Sequence, residues 1–311
     1  MSNQVLGLHH ITAIANNAKI NHDFYTNILG LRLVKKTVNF DDPGTYHFYF
    51  GNETGEPGTI LTFFPWEGIG AGKTGTGMAT EIGYSVPADS FEYWTDRFKK
   101  YNVSHGPVGE NFGEPFLPFR DPDGLNLTLI APKTNDNRKP WQTSEVKAAN
   151  AIKGFHSVVL TVKNSKATAE ILTDIFGYRL LEQQGNRYRF ITDAVETASI
   201  VDLVELSNGT PGVSAAGTNH HIAFRVKDEA TQMAFREIIE SKGLNITPKI
   251  NRDYFYSLYF REPGGVLFEI ATDNPGFAID EPVESLGSGL RLPKQYEPVR
   301  AKIEKVLPSL S

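Results

Sequence analysis

Apolar residues recur along this chain in short alternating runs broken by stretches of helical spacing. In His221-Ile-Ala-Phe-Arg-Val226, residues Ile222, Phe224 and Val226 share one face and leave His221 on the other, the rhythm of a strand. Tyr46-His-Phe-Tyr-Phe-Gly51 and Thr59-Ile-Leu-Thr-Phe-Phe64 read as further strands separated by turn residues. Other apolar residues fall three and four apart, as in Phe91, Trp94 and Phe98, or Phe235, Ile238 and Ile239. That spacing predicts helices packed on one face. Asp89-Ser90 is the expected cap of the first of these, and Lys242-Gly243 ends the second. Phe24, Ile28 and Leu29 before Gly30, and Ala169, Leu172 and Ile175 before Gly177, predict two more.

The order strand, helix, then three strands recurs four times, beginning at Gly7, Met78, Gly154 and Thr218. Leu29-Gly-Leu-Arg-Leu-Val34 matches Phe176-Gly-Tyr-Arg-Leu-Leu181, and Asp121-Pro-Asp-Gly matches Glu262-Pro-Gly-Gly. The predicted fold is α+β, built from four βαβββ modules. Two modules occupy residues 1–132 and two occupy 152–273. The polar stretch 133–151, broken by Pro140, reads as a linker. Residues 274–311 carry Pro275, Pro282, Pro293 and Pro298 and are expected to wrap the body.

Two positions line up across the modules. The first strands place His10, Glu81, His156 and His221 in register, and the last strands place Thr62, Thr128, Asp202 and Glu269. The fourth module holds both His221 and Glu269. The chain has no cysteine, so any metal must be held by His, Asp or Glu. A third ligand is then supplied by His10 or by His156, and spacing alone leaves that choice open. The doublets His9-His10 and His220-His221 stand at matching positions, whereas His22, His47 and His105 read as packing histidines, although His47 follows strand-like Tyr46 and its place there also allows it to face a pocket.

Charge and composition narrow the function. With Lys+Arg 31 and Asp+Glu 36, the net charge is -5, which speaks against a nucleic-acid backbone as partner. No apolar run approaches the ~20 residues of a spanning helix, and the N-terminus lacks the basic and apolar segments of a signal peptide. A cytoplasmic protein without a membrane partner is the expectation, and a homo-oligomer is compatible with it. Aromatic residues make up 11% of the chain, which suits well-filled sheets or a pocket for flat molecules.

The fourfold repeat, the His-Ile strand starts and Pro263-Gly-Gly-Val-Leu-Phe-Glu269 resemble the vicinal oxygen chelate superfamily of glyoxalases, bleomycin-resistance proteins and extradiol dioxygenases. Gly30-Leu-Arg-Leu-Val-Lys-Lys-Thr-Val-Asn-Phe-Asp-Asp-Pro-Gly-Thr-Tyr-His-Phe-Tyr-Phe-Gly51 and Asp280-Glu-Pro-Val-Glu-Ser-Leu-Gly287 resemble, more narrowly, the hydroquinone-type ring-cleaving dioxygenases related to chlorohydroquinone 1,2-dioxygenase. The resemblance implies open, cup-shaped mixed sheets and Fe(II) held by His10, His221 and Glu269; Mn(II) accepts the same ligand set. It implies a hydroquinone or catechol-like aromatic and O₂ as substrates. Arg252 and Tyr259, within Asn251-Arg-Asp-Tyr-Phe-Tyr-Ser-Leu-Tyr259, match the family's pocket segment, and His9 and Thr12 border the first ligand. Two rivals share the fold. A glyoxalase-type isomerase or lyase needs a fourth ligand where this chain has Thr62 or Thr128, and a non-enzymatic binder of small aromatics has no need of His221 with Glu269. By the same alignment Glu81, Thr128, His156 and Asp202 form a second cup, expected to be a decayed site.

Overall fold

The computed structural model describes residues 4–310. Residues 1–3 of the first predicted domain and Ser311 of the predicted tail lie outside the described residues. Module one contains β1 (Leu8–Ala15), α1 (Ala18–Asp23), β2 (Arg32–Val38), β3 (Tyr46–Gly51) and β4 (Ile60–Pro65). Module two contains β5 (Met78–Ser85), α2 (Phe91–Lys100), β6 (Gly109–Asn111), β7 (Glu114–Arg120) and β8 (Asn126–Ile130). Module three contains β9 (Gly154–Val162), α3 (Ser165–Glu170), β10 (Arg179–Gln184), β11 (Arg187–Ile191) and β12 (Ile200–Glu205). Module four contains β13 (Thr218–Val226), α4 (Glu229–Ser241), β14 (Ile250–Asn251), β15 (Phe255–Arg261) and β16 (Leu267–Pro275), and α5 (Arg300–Val306) closes the tail. The four βαβββ units of the sequence reading are all present.

The strands form two curled, mixed, 8-stranded sheets. One runs β14-β15-β16-β13-β1-β4-β3-β2 and the other β10-β11-β12-β9-β5-β8-β7-β6. Module one therefore pairs with module four, and module two with module three. The halves of the chain on either side of the linker are thus separate in sequence but share both sheets. The seam of the first sheet is the antiparallel pair β1 and β13, with Thr12 opposite His221 and His10 opposite Ala223. On either side of it β4 and β16 run parallel to their own first strands. The arrangement is a pseudo-twofold, so matched residues of modules one and four face each other across one cup.

Helical apolar faces pack where the spacing predicts. Trp94 and Phe98 of α2 and Phe235 and Ile239 of α4 are buried in the main hydrophobic cluster, together with Ile222, Phe224 and Val226 of β13. Asn17, Asn164 and Asp228 cap α1, α3 and α4 by accepting backbone N–H bonds from Ile20, Lys166 and Thr231. Asp89-Ser90 does not cap α2. Both lie in a 3₁₀ turn ahead of it, and the Ser90 hydroxyl donates back to the Pro87 carbonyl. Pro87 itself is extended, and its carbonyl accepts both the Ser90 N–H and the Ser90 hydroxyl, so that side chain is engaged before it can reach the first N–H groups of α2. In modules one and three the helix widens into a π turn, Phe24–Ile28 and Ile171–Ile175. Gly30 follows the first with φ +71, and a Cβ there would lie 2.7 Å from Val146. Val146 belongs to the linker, which is pinned further by Arg138 donating to the carbonyls of Gly58 and Phe155.

The tail packs along the body. It covers the edge strand β2, where the Arg291 N–H donates to the Lys36 carbonyl. Lys35 of β2 is fully buried and is neutralised by Asp280 and Glu281 of the tail, each at 2.5 Å. Phe277 stacks on Tyr254, so the tail also backs one wall of the first cup.

A buried carboxyl in the turn before β8 yields a stability prediction. Asp121 accepts from the backbone of Asp123 and Leu125 and from the Tyr25 hydroxyl at 3.1 Å. Burial, with Asp123 adding to it, pushes its carboxyl up to about 7. The unfolded chain holds that proton only below about 4. The folded state therefore binds the proton more tightly, and stability falls as pH rises from about 4 to about 7. Asp121→Asn is expected to flatten that slope, measured by urea unfolding across the window. An unchanged slope would show that Asp121 is ionised throughout.

Candidate metal centre and aromatic cavity

The inner face of the first sheet brings His10, His221 and Glu269 together. Their nearest ligand atoms all lie within 4.8 Å of one another, and all three residues are buried. Among the described residues this is the sole such cluster. The Glu269 Oε2 oxygen lies 3.1 Å from His10 Nε2 and 2.9 Å from His221 Nε2. The same oxygen makes no hydrogen bond of acceptable geometry, so it is a buried acceptor facing two imidazole nitrogens. Its partner oxygen Oε1 accepts from the Ser257 hydroxyl at 2.5 Å. Burial works to raise the Glu269 pKa, but His10 and His221 outweigh it and hold the carboxyl well below its usual range.

The neighbouring histidines determine which way the ligand rings present their protons. His9 sits at a register irregularity in β1, which lets both members of the doublet be buried. Its Nε2 lies 3.1 Å from the Thr272 carbonyl, an acceptor, so that nitrogen carries the hydrogen. Burial keeps His9 neutral by pushing its pKa well down. Its Nδ1 is then an acceptor for the His10 Nδ1–H at 2.9 Å, which leaves the His10 Nε2, 3.1 Å from Glu269 Oε2, as the nitrogen whose proton a metal would replace. His220 and His221 repeat the Nδ1 contact at 2.8 Å. Two imidazole lone pairs and one carboxylate oxygen on one side of a space are a donor set that fits a divalent transition metal.

Above this cluster opens a cavity of about 490 Å³, a size suited to a small ligand. Phe64, Trp66, Phe255, Phe40 and Tyr49 supply aromatic walls. Arg252 and Tyr259 both line it, and the Arg252 Nε–H donates to the Tyr259 hydroxyl oxygen at 3.3 Å. Burial, reinforced by the Glu269 charge, pushes the Tyr259 phenol upward, so it keeps its hydrogen. Thr12 lines the floor beside His10 and His221, and its hydroxyl lies 3.0 Å from that of Thr62. Of the site residues expected from sequence, His10, Thr12, His221, Arg252 and Tyr259 line this cavity; Glu269 touches His10 and His221 at its base, and His9 reaches the site through His10.

Some functional neighbours had no role assigned from sequence. His47, read as a packing residue with a pocket-facing place as the alternative, lines the cavity and bonds Thr62 through Nε2 at 2.9 Å. Ser257 is silent in sequence, because only the pairing of β15 with β16 brings it to Glu269. His220 carried a signal in its doublet but had no separate role assigned to it.

His156 is elsewhere. It lies in the second sheet with Nε2 at 3.2 Å from Glu114 Oε1. Arg189 donates to Glu114 Oε2 at 2.6 Å and to Asp202 Oδ1 at 2.9 Å. Arg187 donates to Asp202 Oδ2 at 2.8 Å. In register, Arg189 opposes Asp202 as Tyr259 opposes Glu269. Guanidinium groups thus neutralise the carboxylate of the second cup, where the first cup leaves its carboxylate facing imidazoles.

Comparison with known proteins follows the same lines. The family model described as Glyoxalase/Bleomycin resistance protein/Dioxygenase superfamily matches residues 7–129 and 154–270. The chain is 45% identical over 307 residues to "Putative ring-cleaving dioxygenase MhqO" of Bacillus subtilis (strain 168), covering 99% of this chain and 97% of that one. It is 34% identical over 310 residues to "Chlorohydroquinone/hydroquinone 1,2-dioxygenase" of Sphingobium indicum, covering 98% of this chain and 96% of that one. A crystal structure of a "putative dioxygenase" from Bacillus subtilis subsp. subtilis str. 168 superposes with a TM-score of 0.95 at 44% identity, covering 100% of this chain and 99% of that one.

Proposed function

Because the chain belongs to the glyoxalase/bleomycin resistance protein/dioxygenase superfamily, we propose that it is a ring-cleaving dioxygenase acting on a hydroquinone or a catechol-like aromatic. His10, His221 and Glu269 hold the metal in this reading, and the metal is Fe(II), with Mn(II) accepted by the same donors. The observation that carries the proposal is the unbonded Glu269 oxygen facing two imidazole nitrogens at the base of an aromatic-walled cavity. Iron bound there supplies Lewis acidity toward a phenolic oxygen and a route for electrons to O₂.

The chain's own residues do the rest. Phe64, Trp66 and Phe255 receive the flat ring and keep water from it. Arg252 holds a fixed positive charge for substrate oxygens that become anionic. Tyr259 accepts from Arg252 and so has its own O–H left to donate into the cavity. His9 and His220 hold the ligand rings with Nε2 turned inward.

The isomerase alternative asks for a fourth ligand opposite Glu269. That place belongs to Thr62, whose hydroxyl is engaged with Thr12 and His47. A small aromatic and O₂ are then the partners. No helix among the described residues is long and apolar enough to cross a membrane.

The test is O₂ uptake. Protein loaded anaerobically with Fe(II) and mixed with hydroquinone in air-saturated buffer is expected to consume O₂ and aromatic substrate in equal amounts. Isomerisation of a glutathione hemithioacetal with no O₂ uptake would replace this reading with the glyoxalase one. Tight binding of aromatics with neither activity would replace it with the binding-protein one.

A further inference from the structure

The wall of the cup opposite Glu269 is built as carefully as the metal side. By the pseudo-twofold, Tyr49 opposes Thr62 in register as Tyr259 opposes Glu269. His47, two residues before Tyr49, takes the place of Ser257, two residues before Tyr259. The matched contact is kept as well. Ser257 bonds the carboxylate of Glu269, and His47 bonds the hydroxyl of Thr62. Where one module carries an anionic group, the other carries a neutral chain: Tyr49, His47, Thr62, Thr12.

The direction of that chain can be worked out. The Tyr49 hydroxyl is buried, and among the described residues its recorded partner is His47 Nδ1 at 3.0 Å. A buried O–H donates where an acceptor is available, so Tyr49 donates to His47. Burial, with His10 adding to it, keeps the His47 imidazole neutral, and a neutral imidazole has one N–H. With Nδ1 accepting, Nε2–H donates to Thr62 Oγ1 at 2.9 Å. Thr62 then donates to Thr12 Oγ1 at 3.0 Å. Thr12 has accepted, and its own hydrogen is left for the cavity that it lines beside His10 and His221.

We infer that His47 is a positioning residue which, through Thr62, holds the Thr12 hydroxyl as an oriented donor to an oxygen of the bound aromatic diol. This rests on the dioxygenase reading for the identity of the ligand. It assigns substrate recognition to both walls of the cup: a charged donor pair, Arg252 and Tyr259, from module four, and a neutral, pre-oriented hydroxyl from module one. A donor held by such a chain loses little freedom on binding, which favours affinity.

The experiment is calorimetric titration of the iron-loaded enzyme with hydroquinone in the absence of O₂, so that binding is read without turnover. Thr12→Val removes the donor. His47→Phe keeps the ring that packs on Tyr49 and Phe64 but breaks the chain. Each is expected to weaken binding by about tenfold, the scale of one hydrogen bond, with iron content unchanged. The double variant is expected to be no weaker than either single one, because both interrupt the same chain. His47→Gln, which can accept from Tyr49 and donate to Thr62, is expected to recover most of the affinity. Wild-type affinity in His47→Phe, or losses that multiply in the double variant, would overturn the inference. Loss of iron in His47→Phe would overturn it too, since the chain would then serve the metal. Failure of the wild-type enzyme to bind hydroquinone would instead overturn the dioxygenase reading, and this inference with it.

Discussion

Glu269→Gln is expected to strip the protein of metal and, with it, of O₂ uptake. Glu269 is the sole anion of the cluster, fully buried, and held ionised by His10 and His221 against the pull of burial. Gln preserves the volume and still offers an acceptor to the Ser257 hydroxyl. It removes the negative charge that offsets a divalent cation in a low-dielectric setting, and its amide hydrogens can bond the imidazole lone pairs that would face the metal. Loss of such a ligand lowers affinity beyond the 10–100-fold seen when only its supporting partners change. The measurement has two arms. Metal analysis after gel filtration should fall to background. Thermal unfolding should lose its dependence on added Fe(II), because a ligand bound only by the native state adds about 2.7 kcal/mol at one hundred times its Kd. The metal-free variant should keep the parent's fold, read by circular dichroism, since Gln preserves the volume and the Ser257 contact. A variant that keeps its iron and activity would remove Glu269 from the site.

The periodic features of the chain were legible because they are local. Alternation in Ile222, Phe224 and Val226 placed His221 on the inner face, the repeat aligned both His10 and His156 with His221 and Thr62 with Glu269, and the family resemblance favoured His10. What sequence left undecided depends on long-range pairing. Whether module one closes on module two or on module four is settled by which first strands meet at the seam, and β1 meets β13. His47 was given no role for a related reason, although a pocket-facing place was open to it. A single His in Tyr46-His-Phe-Tyr-Phe50 has the look of sheet packing, and its partner Thr62 is on the adjacent strand, 15 residues away. Ser90 misled at short range, because a side chain suited to capping was drawn back to the Pro87 carbonyl instead. Arg187 and Arg189 gave no warning either. In the alignment of first and last strands they fall outside both matched positions, yet they decide that Asp202 is paired with arginine.

His10→Ala and His156→Ala should part company completely. His10 contributes an Nε2 at 3.1 Å from Glu269 Oε2, and its removal leaves two donors from one module. Iron should be lost, and hydroquinone-dependent O₂ uptake with it. His156 lies in the other sheet and faces Glu114. Its removal should leave iron content and turnover near those of the parent. The cost there is one of stability. Glu114 is held down to about 2 against the opposing effect of burial by His156 and Arg189. Without His156 it keeps only the arginine among these partners, and a buried bond to a charged group contributes about 1.5–3 kcal/mol. The two variants therefore part on the metal: His10→Ala loses its iron and with it the stability that bound iron adds, whereas His156→Ala keeps its iron and melts earlier through the weakened Glu114 cluster alone. The opposite pattern, with iron lost in His156→Ala and kept in His10→Ala, would mean that each half of the chain closes its own cup. Since β1 and β13 can form the central seam only if module one pairs with module four, metal analysis of these two proteins also tests the topology in solution.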